Sequence, residues 1–197
     1  MRRQFWIGII FVCMGLAVIA GLLIFPQSQS AAVNVTLQDG TQARLTASVT
    51  NRGWVGDREN YSLKVVTQPN PGSTVVLRLS ARLEMNDPAL DPQGLVQRSL
   101  QPGGKALFTW QAGSYTAGDT PGVLWFYETA ANGENNVLYA KEFTYSSYKF
   151  LGLAPSTARF AAAGLLLIGG LCLLLERLHS RKRKITSAVT EKKQEMS

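Results

Sequence analysis

Residues Val75–Met85 read VVLRLSARLEM. Val75, Leu77, Leu79, Ala81, Leu83 and Met85 alternate with a second set that includes Arg78, Arg82 and Glu84. A period of two places the first set on one face of a strand and the charged set on the other. A helix would scatter these apolar positions around its circumference. Residues 75–85 are therefore expected to form a long strand with one face in a core and one in water.

Shorter runs of the same kind lie on either side. Val33–Leu37 precedes the turn Asp39-Gly40, and Ala43, Leu45, Ala47 and Val49 alternate after it. Tyr61–Val66 follows a polar loop. Leu95–Leu100 leads into Pro102-Gly103-Gly104 and then KALFTW, residues 105–110. Val123–Tyr127 is almost wholly apolar, as expected of a central strand, and Val137–Tyr145 closes the series. Many short alternating runs separated by Gly, Pro and Asn turns predict an antiparallel β-sandwich of seven to eight strands over residues 33–150. No repeat of fixed period is present.

Two long apolar runs flank this region. The first spans Phe5–Phe25, behind Arg2 and Arg3, and its roughly 20 residues match a hydrocarbon core about 30 Å thick. That length favours a transmembrane helix over residues 5–25. Pro26 and the small residues of Ser28-Gln29-Ser30-Ala31-Ala32 also fit a cleaved signal peptide, so both readings stand. The second run, residues 158–176, is followed at once by Arg177, Arg181, Lys182, Arg183 and Lys184. Basic residues stay on the cytoplasmic side. Here they flank the outer ends of both runs, so both termini are expected in the cytoplasm and the sandwich outside it. The expected division is a cytoplasmic N-terminus (1–4), a first span (5–25), a linker (26–32), the sandwich (33–150), a second linker (151–157), a second span (158–176) and a basic cytoplasmic tail (177–197), disordered from Ser180 on. Small residues at i,i+4 (Ala17 and Gly21; Ala158 and Ala162) suit helix–helix packing. Trp6, Tyr145, Tyr148 and Phe150 suit a membrane–water interface, where Arg2, Arg3, Arg177 and residues 181–184 would also sit, and Tyr148 and Phe150 suit packing under the sandwich equally well.

The formal charge of the 197-residue chain is +7, yet Gln27–Thr157 holds ten Lys or Arg and ten Asp or Glu. The excess lies in the termini and Arg159. The high isoelectric point is thus a topology signal, and a nucleic-acid partner is excluded for want of a basic face on the folded domain. Cys13 and Cys172 both fall in the apolar runs, leaving the outer domain without a disulfide. That points to a prokaryotic envelope protein more than to a metazoan surface domain.

Catalytic chemistry finds little to use. The single histidine, His179, lies in the basic flank, and the outer region has neither His nor Cys. No triad or zinc site can be assembled there, and no cofactor or metal is expected. Asp87 and Asp91 each precede a proline and read as turn formers. As loop residues they are also candidate partner contacts, together with Asp57 and Trp54 in the loop from Asn51 to Asn60. Trp54 has a second reading, as a plug at one end of the sandwich.

The order of a long alternating strand, an Asp/Pro loop, LQPGGKALFTW, GDTPGVLWFYE, a turn and a closing strand resembles bacterial immunoglobulin-like domains. Leu100, Pro102, Gly103, Phe108, Trp110, Gly118 and Gly122 carry the likeness, which covers the second half of the outer domain. The cysteine pair of antibody domains has no counterpart. The resemblance implies a sandwich fold with an adhesive or scaffolding use, and no catalytic residue. The resulting expectation is an immunoglobulin-like sandwich between two transmembrane helices, a non-enzymatic module whose partners are the lipid bilayer and a protein of the membrane or envelope. The alternative is an accessory subunit of a larger membrane complex, held through its helices. Oligomeric state is left open.

Overall fold

The computed structural model describes residues 2–70, 76–86, 90–130 and 133–194, with side chains from Phe5 to His179 within those ranges. Its elements are α1 (Arg2–Ile24), β1 (Gln27–Thr36), β2 (Gln42–Trp54), β3 (Glu59–Thr67), β4 (Leu77–Met85), β5 (Val96–Leu100), β6 (Lys105–Ala112), β7 (Gly118–Thr129), β8 (Asn135–Tyr148) and α2 (Pro155–Gln194). They form two compact units. One runs from Phe25 to Pro155 and the other is made of α1 and α2.

The eight strands form a single ladder in the order β5-β4-β7-β8-β2-β3-β6, with β1 paired to β2. All pairings between strands are antiparallel except one. Arg52–Trp54 of β2 runs parallel to Ser146–Tyr148 of β8, and this short seam lets the ladder fold into two leaves. The leaf orders β2-β3-β6 and β5-β4-β7-β8 correspond to A-B-E and C′-C-F-G of an immunoglobulin-like sandwich.

The core follows from the alternation. Ala43, Leu45, Ala47 and Val49 of β2 face Leu77, Leu79, Ala81 and Leu83 of β4 across one buried cluster that also takes in Leu63, Phe108, Trp110 and Phe126. Phe108 on β6 meets Phe126 on β7 edge-on, with ring centroids 6.3 Å apart, so aromatic packing joins the leaves. The turns follow their sequences. Asp39 accepts hydrogen bonds from the backbone N and the hydroxyl of Thr41, and Gly103, at φ +82°, turns the chain from β5 into β6.

Several boundaries differ from expectation. Of the expected loop Asn51–Asn60 only residues 55–58 lie outside β2 and β3, and Phe25, expected in the first span, follows the end of α1 and stacks on Trp54. Residues 27–32, expected as linker, are the first half of β1 and pair with Thr46–Arg52. Pro155 is the first residue of α2, where its fixed φ suits a helix start and its missing N–H leaves no bond unmade. The tail from Ser180, expected to be disordered, continues α2 to Gln194. No Gly or Pro interrupts it, and extending an existing helix avoids the cost of nucleation.

In the helical unit, Phe5–Ile24 and Pro155–His179 are each long and apolar enough to cross a membrane. The two helices are antiparallel and close. A Cβ on Gly8 would meet Leu173 and the carbonyl of Gly169 at 3.0–3.1 Å, and one on Gly15 would meet Leu166 at 2.8 Å and the carbonyl of Ala162 at 3.1 Å. Ala158 and Ala162 are buried as small seam residues should be, whereas Ala17 is exposed. The α1 side of the seam is thus Gly8 and Gly15, two turns apart, in place of the Ala17–Gly21 pair.

Candidate functional site

One end of the sandwich gathers the features that sequence reading had spread over distant loops. The end of β2, the start of β3, the end of β4, the start of β7 and the end of β8 all lie there, because Met85 pairs with Gly122, Gly118 with Ser147 and Trp54 with Tyr148. The chain also enters and leaves this unit here, through Phe25 and Phe150.

Trp54 is not a surface contact at this end. It is only 5% exposed, stacks on Phe25 at 4.4 Å and meets Phe150 edge-on at 5.5 Å. Tyr148 packs on the other side of Phe25 at 5.2 Å while remaining 42% exposed. Trp54 therefore plugs the sandwich, in accord with its second reading. Tyr145, grouped with the interface aromatics, is fully buried. Asp57 lies in the tight turn after Trp54, its backbone N donating to the Trp54 carbonyl. Burial, and then the charge of Asp57, push the Glu59 carboxyl above its ordinary range.

The loop after β4 does line a cleft. Met85, Leu90, Pro121 and Val123 give an open cleft of about 740 Å³ its apolar surface, and Arg82, Glu84, Asn86 and Gln93 surround it with polar groups. Loop and strands come together through the Met85–Gly122 pairing and through a bridge between Asp91 and Gln111. Gly122 is required beneath the cleft, since a Cβ there would meet Phe143 at 2.5 Å and Met85 at 2.9 Å. Asp91 is exposed beside the cleft, next to a cis Asp91–Pro92 peptide bond, and Asp87 lies outside the described residues.

A polar relay that sequence reading missed fixes the cleft's rim. Glu84 pairs with Arg82 at 3.1 Å and accepts a hydrogen bond from Trp125 Nε1 at 2.8 Å. Trp125 in turn stacks on Tyr127, with centroids 6.3 Å apart and planes 19° apart. Burial, then the nearby Glu84 charge, raise the Tyr127 phenol, and Arg82 opposes them. The nearly all-apolar run Val123–Tyr127 hid this arrangement. Its even positions enter the core, but Val123, Trp125 and Tyr127 are half-buried on the outer face. The only signal was the cross-strand chance of Arg82 and Glu84 facing an indole.

The basic positions assigned to a membrane interface belong to the helical unit. Arg2 and Arg3 open α1, Trp6 is 59% exposed, Arg177 is exposed beyond the apolar part of α2, and residues 181–184 continue that helix. Among the described residues, no three His, Cys, Asp or Glu side chains gather as metal ligands would.

No family model matches the chain, and no curated protein does. Solved structures similar to it include the CARDB domain of a Pyrococcus furiosus protein in complex with di-metal ions, at 12% identity and a TM-score of 0.34, covering 64% of this chain and 90% of that one. SSP-19, an MSP-domain protein-like family member of Caenorhabditis elegans, is similar at 9% identity and a TM-score of 0.30, over 49% of this chain and 92% of its own. The ASH/PapD-like domain of human CEP192 is similar at 9% identity and a TM-score of 0.28, over 49% and 75%. Function is left to be read from this chain's own residues.

Proposed function

We propose that this chain is a non-enzymatic, membrane-anchored module whose sandwich holds a protein partner outside the cytoplasm through the cleft between the β4–β5 loop and the start of β7. The cleft carries the reading. It joins apolar surface from Met85, Leu90, Pro121 and Val123 to a rim held in place by the Arg82–Glu84–Trp125 contacts. An apolar centre with a polar margin is how protein interfaces are built. The unit from Phe25 to Pro155 contains no histidine or cysteine, so two common catalytic groups are missing from it.

Two observations support anchoring by both helices. Basic positions flank the outer end of each apolar run, which suits two crossings with cytoplasmic termini. Cleavage near Ala31 would also remove part of β1, stripping laddered residues from β2. A photo-crosslinking residue at exposed Gln93, in the full chain in its native membrane, should give one dominant protein adduct. The same residue at Thr109, on the outer face of the other leaf, should not. Equal adducts from both positions, or none from Gln93, would remove the cleft from the reading.

A further inference from the structure

The helix pair carries a second site, distinct from the sandwich. Gly8 lies against Gly169 and Leu173, and Gly15 against Ala162 and Leu166. This antiparallel register sets the first turns of α1 beside α2 from Leu173 onward. A cleft of about 460 Å³ opens there, lined by Phe5, Leu173, Glu176 and Arg177. Two chemistries meet in it. Phe5 and Leu173 give apolar walls, and Phe5 is 44% exposed, a large ring left open to its surroundings. Arg177 stands at the polar end. Arg2 and Arg3 precede Phe5 on α1, and Arg181, Lys182, Arg183 and Lys184 follow on α2. Against these cationic positions, Glu176 is the one carboxylate among residues 1–24 and 155–190.

A free anion gains nothing from Phe5 and Leu173, and a neutral acyl chain gains nothing from the arginines. A phospholipid of net negative headgroup satisfies both, with phosphate on guanidinium and chain on the apolar walls. We propose that this cleft binds one anionic phospholipid, its phosphate at Arg177 and an acyl chain along Phe5 and Leu173. Charge complementarity selects the occupant, and guanidinium suits phosphate because its donors engage two oxygens at once. The proposal rests on the reading of α1 and α2 as membrane spans, and it goes beyond topology. Basic residues that only set orientation attract anionic lipid diffusely, through a screened surface potential. A built cleft holds one lipid and depends on one arginine.

Full-length protein in nanodiscs of equal phosphatidylglycerol and phosphatidylcholine, released for native mass spectrometry, tests this. A one-to-one phosphatidylglycerol adduct is expected, and excess inorganic phosphate should not displace it. Arg177→Gln should weaken the adduct about tenfold, the loss of one charge-assisted contact. Glu176→Gln should strengthen it by removing the facing carboxylate, which keeps the test alive if the arginine variant folds poorly. The triple change Lys182→Gln, Arg183→Gln, Lys184→Gln should leave it in place. The proposal is overturned if both lipids are retained equally, or if the triple change abolishes the adduct while Arg177→Gln spares it. Alkaline carbonate extraction of native membranes separates the two levels. A chain that is released contradicts the membrane reading itself, whereas one that stays and shows no lipid preference contradicts only the site.

Discussion

Replacing Trp110 by alanine should cost the sandwich a large part of its stability, and the structure supplies the reasons. Trp110 is 1% exposed, lies opposite Tyr61 across the β3–β6 ladder and stacks 6.3 Å from Phe108 in the centre of the buried cluster. Its Nε1 finds no acceptor among the described residues, so the whole side chain acts as an apolar filler. Truncating such a ring removes its transfer free energy and leaves a cavity, together about 3–5 kcal/mol. Domains have only about 5–15 kcal/mol to lose. For a unit of this size, each kcal/mol moves the melting temperature by roughly 3–6 °C, which gives a fall of about 9–30 °C. Circular dichroism melts of the purified unit from Phe25 to Pro155 measure it. Trp125→Ala is the matched control, because Trp125 is half-buried on the outer face and is held by one hydrogen bond to Glu84. That loss should be about 1–2 kcal/mol. Trp110→Phe should recover more than half of the alanine deficit, since the indole N–H it removes is unpaired. If Trp110→Ala melts no lower than Trp125→Ala, the assignment of inner and outer faces is wrong.

Gly169→Leu should lower the thermal stability of the full chain in detergent, because a Cβ there meets the Gly8 carbonyl and Val12 at 2.8 Å, whereas Gly170→Leu, with open space around it, should not. Gly113→Ala should destabilise the sandwich by about 2 kcal/mol or more in denaturant titration, since the added carbon runs into the backbone carbonyl of Asp57. Burial raises the Glu128 carboxyl above its ordinary range, the backbone N–H of Gln38 opposes this, and Asp39 adds to it. The native state therefore holds that proton to higher pH than the unfolded chain does, so this group's contribution falls as pH rises from the ordinary carboxylate range through the raised value. Glu128→Gln should flatten the slope of melting temperature against pH in that window, and an unchanged slope would discount the group. In a chain with Cys13 and Cys172 replaced by serine, a cysteine at exposed Asn136 should react with an impermeant thiol reagent from outside the cell and one at Ser187 should not; the reverse pattern would invert the proposed topology.

The strands that were legible in sequence are those with one wet and one dry face. All eight expected runs appear as strands, Val75 lying outside the described residues; the inward sets of β2, β3, β4, β6 and β7 make the core, and β1, β5 and β8 pack partly buried residues against it. What stayed hidden lacked that contrast. Gln27–Ala32 is mostly exposed along its length, so no alternation marks it, and only its ladder with β2 makes it a strand. Trp54, set among polar residues, left a contact and a plug reading open, and the plug holds because Phe25 and Phe150 pack on it from parts of the chain no local window joins. The α1 side of the helix seam escaped for a related reason, whereas Ala158 and Ala162 on α2 are buried as expected. A search for small residues one turn apart finds Ala17 and Gly21, whereas two antiparallel helices touching at successive crossings need them two turns apart, at Gly8 and Gly15.

The candidate cleft is the extreme case, because no segment contains it. Its apolar surface comes from the end of β4, the following loop and the start of β7, and its rim from an ion pair two residues apart on β4 that gains a third partner, Trp125, only across the ladder. Arg82 and Glu84 alone would be an ordinary solvated pair on an exposed strand face, worth little. The indole N–H adds a second hold on the carboxylate, and Tyr127 stacks on the ring behind it. A side chain held from two directions loses less freedom when a partner arrives, so this part of the outer face is better prepared for binding than its sequence suggests. Loosening the rim while leaving the core intact separates that role from stability. Glu84→Gln keeps an acceptor for Trp125 but releases Arg82, so it should leave the melting temperature within a few degrees and yet lower the yield of the Gln93 adduct. A variant that melts normally and crosslinks at full yield would show that the fixed rim has no part in holding the partner.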